Sequence, residues 1–136
     1  MLAQKTYPTE HIERCRLAIR ERISAFRAAT ANAKPQQRVT AERLYCRDLV
    51  VLLDAWFMHR TRAVEGKDGN PANEVRMLAA GIIHNDGVLE ADRTIRYRAA
   101  ESISNLDIGD PINLTVAQTE QLADAYLETI ARRFAT

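Results

Sequence analysis

The sequence is poor in the residues that small proteins use as staples or as reactive groups. Two cysteines, Cys15 and Cys46, stand apart with no Cys-x-x-Cys pair. That spacing argues against a disulfide scaffold and the common zinc frameworks, and it fits a reduced, cytosolic chain. The residues three before His11, His59 and His84 are Pro8, Trp56 and Gly81. The Glu-x-x-His pairs of di-iron bundles are therefore missing, as is His-Glu-x-x-His, and neither a metal site nor a cofactor is expected. The five glycines never adopt the spacing of a phosphate loop or a dinucleotide-binding turn.

An excess of charge is missing too. Nineteen Lys and Arg stand against 18 Asp and Glu, a formal net charge of +1. So small an imbalance sets up no long-range field, and neither nucleic acid nor an anionic membrane surface is an expected partner. No stretch approaches the roughly 18 apolar residues that a membrane span needs. The opening "MLAQKTYPTEHIERC" lacks the apolar centre of a signal peptide.

What the chain does have is helical periodicity. Hydrophobic residues make up 46% of it, enough to fill one core, so residues 1–136 are expected to form a single helical domain. Ile12, Cys15, Ile19, Ile23 and Phe26 recur at three- and four-residue spacing behind Thr9, an N-cap candidate. Both cysteines fall inside apolar stripes, where buried, unreactive thiols are expected. His11, in the first turn, is expected to face solvent. Glu10 and Arg14 are spaced for an i,i+4 ion pair.

A polar linker, Thr30 to Arg38, precedes a second helix capped by Thr40. Its stripe is Tyr45, Leu49, Leu52, Trp56 and His59, with Arg62 near its far end. Asp-Gly at 68–69 is a turn signal, and Asn70-Pro71 reads as the N-cap and first position of a third helix running to about Asn85. Between Val88 and Leu114 the period is lost. That segment is expected to be an irregular crossover, with a short helical turn and small β strands, or a lid. Thr115 with Gln118 forms a capping box before the last helix. The expected fold is mainly α, a four-helix bundle with an irregular crossover, short β included, at about 88–114.

The densest polar stretch is "HRTRAVEGKDGNPANEVR", His59 to Arg76. A helix starting at Asn70 would present free N–H groups to an anion, with Arg60, Arg62 and Lys67 converging beside it. His59 could donate a proton, and Asn73, Glu74 and Arg76 complete the candidate binding set. The same residues also suit a structural corner, with the cations neutralised by Glu65, Asp68 and Glu74. Two function classes follow from this. The leading one is a non-enzymatic association module acting as a homodimer, because the second and third helices carry more apolar surface than one bundle covers. The alternative is a binding or enzymatic domain for a small anionic or phosphorylated ligand, centred on 59–76.

Overall fold

The structure is a computed structural model that describes residues 3–135. Five α-helices follow in chain order: α1 (Thr9–Thr30), α2 (Pro35–Trp56), α3 (Arg62–Glu65), α4 (Pro71–His84) and α5 (Val116–Phe134). One 3₁₀ turn, Ala99–Glu101, lies in the crossover before α5. The fold is mainly helical, and no β-strand is formed among the described residues. Among the described residues no helix is long and apolar enough to cross a membrane.

α1 buries Ile12, Cys15, Ile19 and Ile23, four of the five residues of its predicted stripe, and the fifth, Phe26, is half-buried. The expected Glu10–Arg14 pair is not formed; Arg16 pairs with Glu13 instead, at 3.4 Å. α2 begins at Pro35, five positions before the expected cap Thr40. Proline suits a first helical position because the N–H it lacks would have no intrahelical partner there. Thr40 then sits inside the helix, and its hydroxyl donates to the Gln36 carbonyl at 3.1 Å. At the other end α2 stops at Trp56, so neither His59 nor Arg62 belongs to it. Phe57 leaves helical geometry (φ −131°, ψ 33°) and is fully buried.

α5 packs against α1, α2 and α4, and α2 packs along α4, whereas α1 and α2 touch each other little. The core lies between these elements: Leu49, Val50 and Leu53 from α2, Val75 and Leu78 from α4, and Leu122, Tyr126, Leu127 and Ile130 from α5. α4 is buried on more than one side, as its two apolar faces suggested, because the crossover covers the side that the helices leave open.

The crossover has isolated bridges where short strands were expected. Val88 pairs with Pro111 and Asp68 with Arg96, and neither ladder extends further. Buried Leu89, Ile95, Ile112 and Leu114 hold the segment down, and Glu74 caps it, accepting the Ile103 and Ser104 N–H groups at 3.0 and 2.8 Å. Side-chain anchors of this kind satisfy the backbone without a neighbouring strand.

Residues 3–8 form a strap that periodicity did not predict. Gln4 bridges to Arg60, and Tyr7 bridges to Ala135. Tyr7 is only 4% exposed, packed edge-on to Phe57 at 4.9 Å between ring centroids. His11 faces the same cluster, 5.2 Å from Phe57, with Nε2 3.4 Å from the Trp56 carbonyl oxygen. The expectation of a solvent-facing His11 holds only in part: the ring is half-buried against Phe57 and lines an open surface pocket with Arg14, Arg22 and Trp56.

Candidate functional site

The corner between α2 and α4 is organised around one carboxylate. α3 is a single turn, ended by Gly66 at φ 84°, a left-handed conformation that favours glycine. That turn points Glu65 inward with its side chain fully buried. Glu65 Oε1 accepts from Arg76 Nε at 2.8 Å and pairs with Arg62 Nη1 at 3.1 Å. Its Oε2 accepts from Arg76 Nη2 at 3.0 Å and from Arg60 Nε. A carboxylate offers about four acceptor positions, and here guanidinium groups fill them all.

Arg60 is equally committed. Its side chain is fully buried, Nη1 donates to the Phe57 carbonyl, and Nη2 donates to Asp54 Oδ1 at 2.9 Å and to the Ala72 carbonyl at 3.0 Å. Its guanidinium also lies 5.5 Å from the centre of the Tyr126 ring. Burial works to lower the Arg60 pKa, but Tyr126, Asp54 and Glu65 together more than offset it, so the group is held above its ordinary value. Arg62 also donates from Nη2 to Thr94 Oγ1 at 2.7 Å. Asp92 beside it has a lowered pKa, first through the Thr94 hydroxyl and backbone hydrogen bonds and then through Arg62 and Arg76.

The start of α4 is closed to an outside anion in the same way. Asn70 Oδ1 accepts from the Ala72 and Asn73 N–H groups at 2.9 and 3.3 Å, while its amide donates to the Glu65 carbonyl and to Asp68 Oδ1. Asn73 donates to the Gly66 and Asp68 carbonyls, tying the turn to the helix. Arg133, at the end of α5, adds a hydrogen bond to the Glu65 carbonyl at 2.7 Å.

Six of the eight candidate residues, Arg60, Arg62, Asn70, Asn73, Glu74 and Arg76, thus have side chains engaged within the fold. Lys67 is exposed, and its side chain pairs with no acid among the described residues. His59 contributes its backbone, accepting the Gln4 N–H. A cavity of about 380 Å³ does open at Asn70, lined also by Asp68, Arg96 and Arg98. None of Arg60, Arg62 and Lys67 lines it. Asp54, Thr94, Tyr126 and Arg133 complete the network from distant positions, and no sequence spacing pointed to them.

Compared with family models, curated proteins and solved structures, the chain matches none.

Cys15 Sγ lies 3.8 Å from His11 Nε2, but burial pushes its thiol up to about 11, the opposite of what a thiolate nucleophile needs. Burial likewise raises the Cys46 thiol. Among the described residues no group of three or more His, Cys, Asp or Glu is placed to hold a metal ion.

Proposed function

We propose that the protein is a non-enzymatic association module, a single four-helix domain that works in the cytosol as a homodimer. One observation carries this reading: the core stripe of α2 runs on past its own packing partners. Val39 lies two turns before Cys46, on the face that Cys46, Leu49, Val50 and Leu53 bury, yet it is 62% exposed. Every residue from Pro35 to Thr40 is exposed. Helical turns without tertiary contacts are marginal in water, more so with β-branched residues such as Val39 and Thr40. An apolar partner on this face would supply what the turns lack.

The same end of the molecule offers a receptor. An open cavity of about 280 Å³ lies between the ends of α1, α2 and α5, lined by Phe26, Thr30, Arg38, Glu42, Val116 and Ala117. Charges of both signs surround it, with Arg27 facing Glu120 at 3.4 Å. A patch carrying both a protruding apolar side chain and a hollow beside it is self-complementary, as a two-fold interface requires. The corner at 59–76 does not favour the anionic-ligand alternative, because Glu65 already engages Arg60, Arg62 and Arg76. Sedimentation velocity on wild type and Val39→Glu tests the proposal. Wild type is expected to be dimeric at micromolar concentration, and the variant monomeric but still folded, with its helical circular dichroism retained and a melting temperature that no longer depends on protein concentration. A wild-type monomer across the micromolar range would overturn it.

A further inference from the structure

Between the first half of α1 and the end of α2 the surface holds a small pocket of about 220 Å³, lined by His11, Arg14, Cys15, Ala18, Arg22 and Trp56. It exists because the two helices touch each other little, and Ala18 is too small to fill the gap. Residues 11, 14, 18 and 22 recur at three- and four-residue spacing, so they share one side of α1. The wall opposite is the ring of Trp56, half-buried at the last position of α2. The floor is the Cys15 thiol, 4% exposed, which stays protonated at neutral pH because burial pushes it up to about 11. Floor and wall are thus uncharged and largely apolar.

The rim is positive and unmatched. Glu10 does not reach Arg14, and among the described residues the Arg14 guanidinium has neither an ion pair nor a hydrogen bond. Arg22 has no acidic partner there either. Its Nη1 donates to the Ala18 carbonyl at 3.0 Å, and its guanidinium lies 5.8 Å from the centre of the Trp56 ring, with donors left over for another molecule. No carboxylate lines the pocket. His11 is occupied at the edge, its Nε2 3.4 Å from the Trp56 carbonyl oxygen. A positive rim around an apolar interior selects an anion with an apolar body.

Size and shape narrow the ligand further. The pocket is smaller than the roughly 300–1,000 Å³ typical of sites for drug-sized ligands, so it holds one ring and not a nucleotide. An inorganic anion would leave the Trp56 face and Ala18 uncovered. A planar ring covers them, packing offset or edge-on against the indole, and a carboxylate on that ring receives paired N–H bonds from a guanidinium fork. We propose that this pocket binds a small aromatic monocarboxylate, its ring against Trp56 and its carboxylate held by Arg14 and Arg22. The two arginines stand about 12 Å apart along the axis of α1, and their long side chains close that distance from either side. The site shares no residue with the hollow beside Val39, so it is a function additional to association and independent of it.

Trp56 is the single tryptophan of the chain, so its fluorescence reports on the site directly. Titrating wild type with benzoate is expected to give a saturable change in emission with a dissociation constant at or below about 1 mM. Benzamide keeps the ring without the charge, and acetate keeps the charge without the ring. Each is expected to bind at least roughly tenfold more weakly than benzoate. Arg14→Ala removes a side chain with no partner in the fold, so the melt is expected to stay as in wild type while benzoate affinity falls at least about fivefold. Arg14→Gln, a second variant in case the first disturbs α1, is expected to show the same loss. The absence of a saturable change with millimolar benzoate overturns the proposal. So does benzamide binding as tightly as benzoate, or undiminished benzoate affinity in a folded Arg14 variant.

Discussion

Replacing Glu65 by glutamine tests whether one carboxylate fixes the angle between α2 and α4. Glutamine keeps the shape but removes the charge, and it turns an NH₂ group toward guanidinium donors, so about half of the hydrogen bonds at this position are lost. The cost is concentrated on Arg60, whose side chain has no contact with solvent. Stranding a buried charge costs about 3–5 kcal/mol. Asp54, only 26% exposed, still holds Arg60 Nη2 at 2.9 Å, which places the loss in the lower half of that range. Arg62 and Arg76, at 38% and 25% exposure, can turn toward water and add less than about 1 kcal/mol each. The expected destabilisation is thus about 3–6 kcal/mol, a fall in melting temperature of roughly 10–20 °C for a domain of this size. Urea unfolding followed through Trp56 fluorescence and far-ultraviolet circular dichroism measures it. Arg62→Ala in parallel is expected to lose no more than about 1 kcal/mol. If Glu65→Gln stays within about 1 kcal/mol of wild type, the carboxylate is not what holds the corner, and the reasoning fails.

Two further perturbations probe the packing around this network. At Gly81 an added Cβ would lie 2.6 Å from the Val88 carbonyl oxygen and 2.9 Å from Ile112 Cδ1. Gly81→Ala is therefore expected to lose about 1–3 kcal/mol in a thermal melt despite alanine's better helix propensity, and a variant as stable as wild type would refute this. The Cys15 thiol loses its proton at 9.0 in the unfolded chain and at about 11 in the folded one, so ionisation favours unfolding. Its contribution is present in full below pH 9.0 and fades as pH rises toward 11, by at most about 2–3 kcal/mol. Comparing wild type with Cys15→Ser by urea unfolding from pH 8 to 11 checks it, and parallel pH profiles would contradict it.

The helices were legible because each records its environment locally. α1 and α5 show a period of 3.6 residues, and the caps of α4 and α5, Asn70-Pro71 and Thr115 with Gln118, are set by neighbours a few residues away. The early start of α2 is hidden in the polar stretch Thr30 to Arg38, because a proline such as Pro35 suits a loop as well as a first helical position. The strap was missed because one buried aromatic in an otherwise exposed segment leaves no periodic signal.

The 59–76 stretch shows the division most clearly. Its residues declared a turn, a cap and a cluster of opposite charges, since backbone preference and local spacing depend on neighbours in the chain. Which charges meet was decided by the fold. Glu65 receives Arg76 from across the turn, Arg60 is shared with Asp54 of α2, and Arg133 arrives from α5. The sequence by itself determined the existence of the four long helices and the turn between α2 and α4. Only the tertiary structure decided that the arginines of the turn are consumed within the fold, because whether a charge is buried and paired depends on atoms brought together from far along the chain.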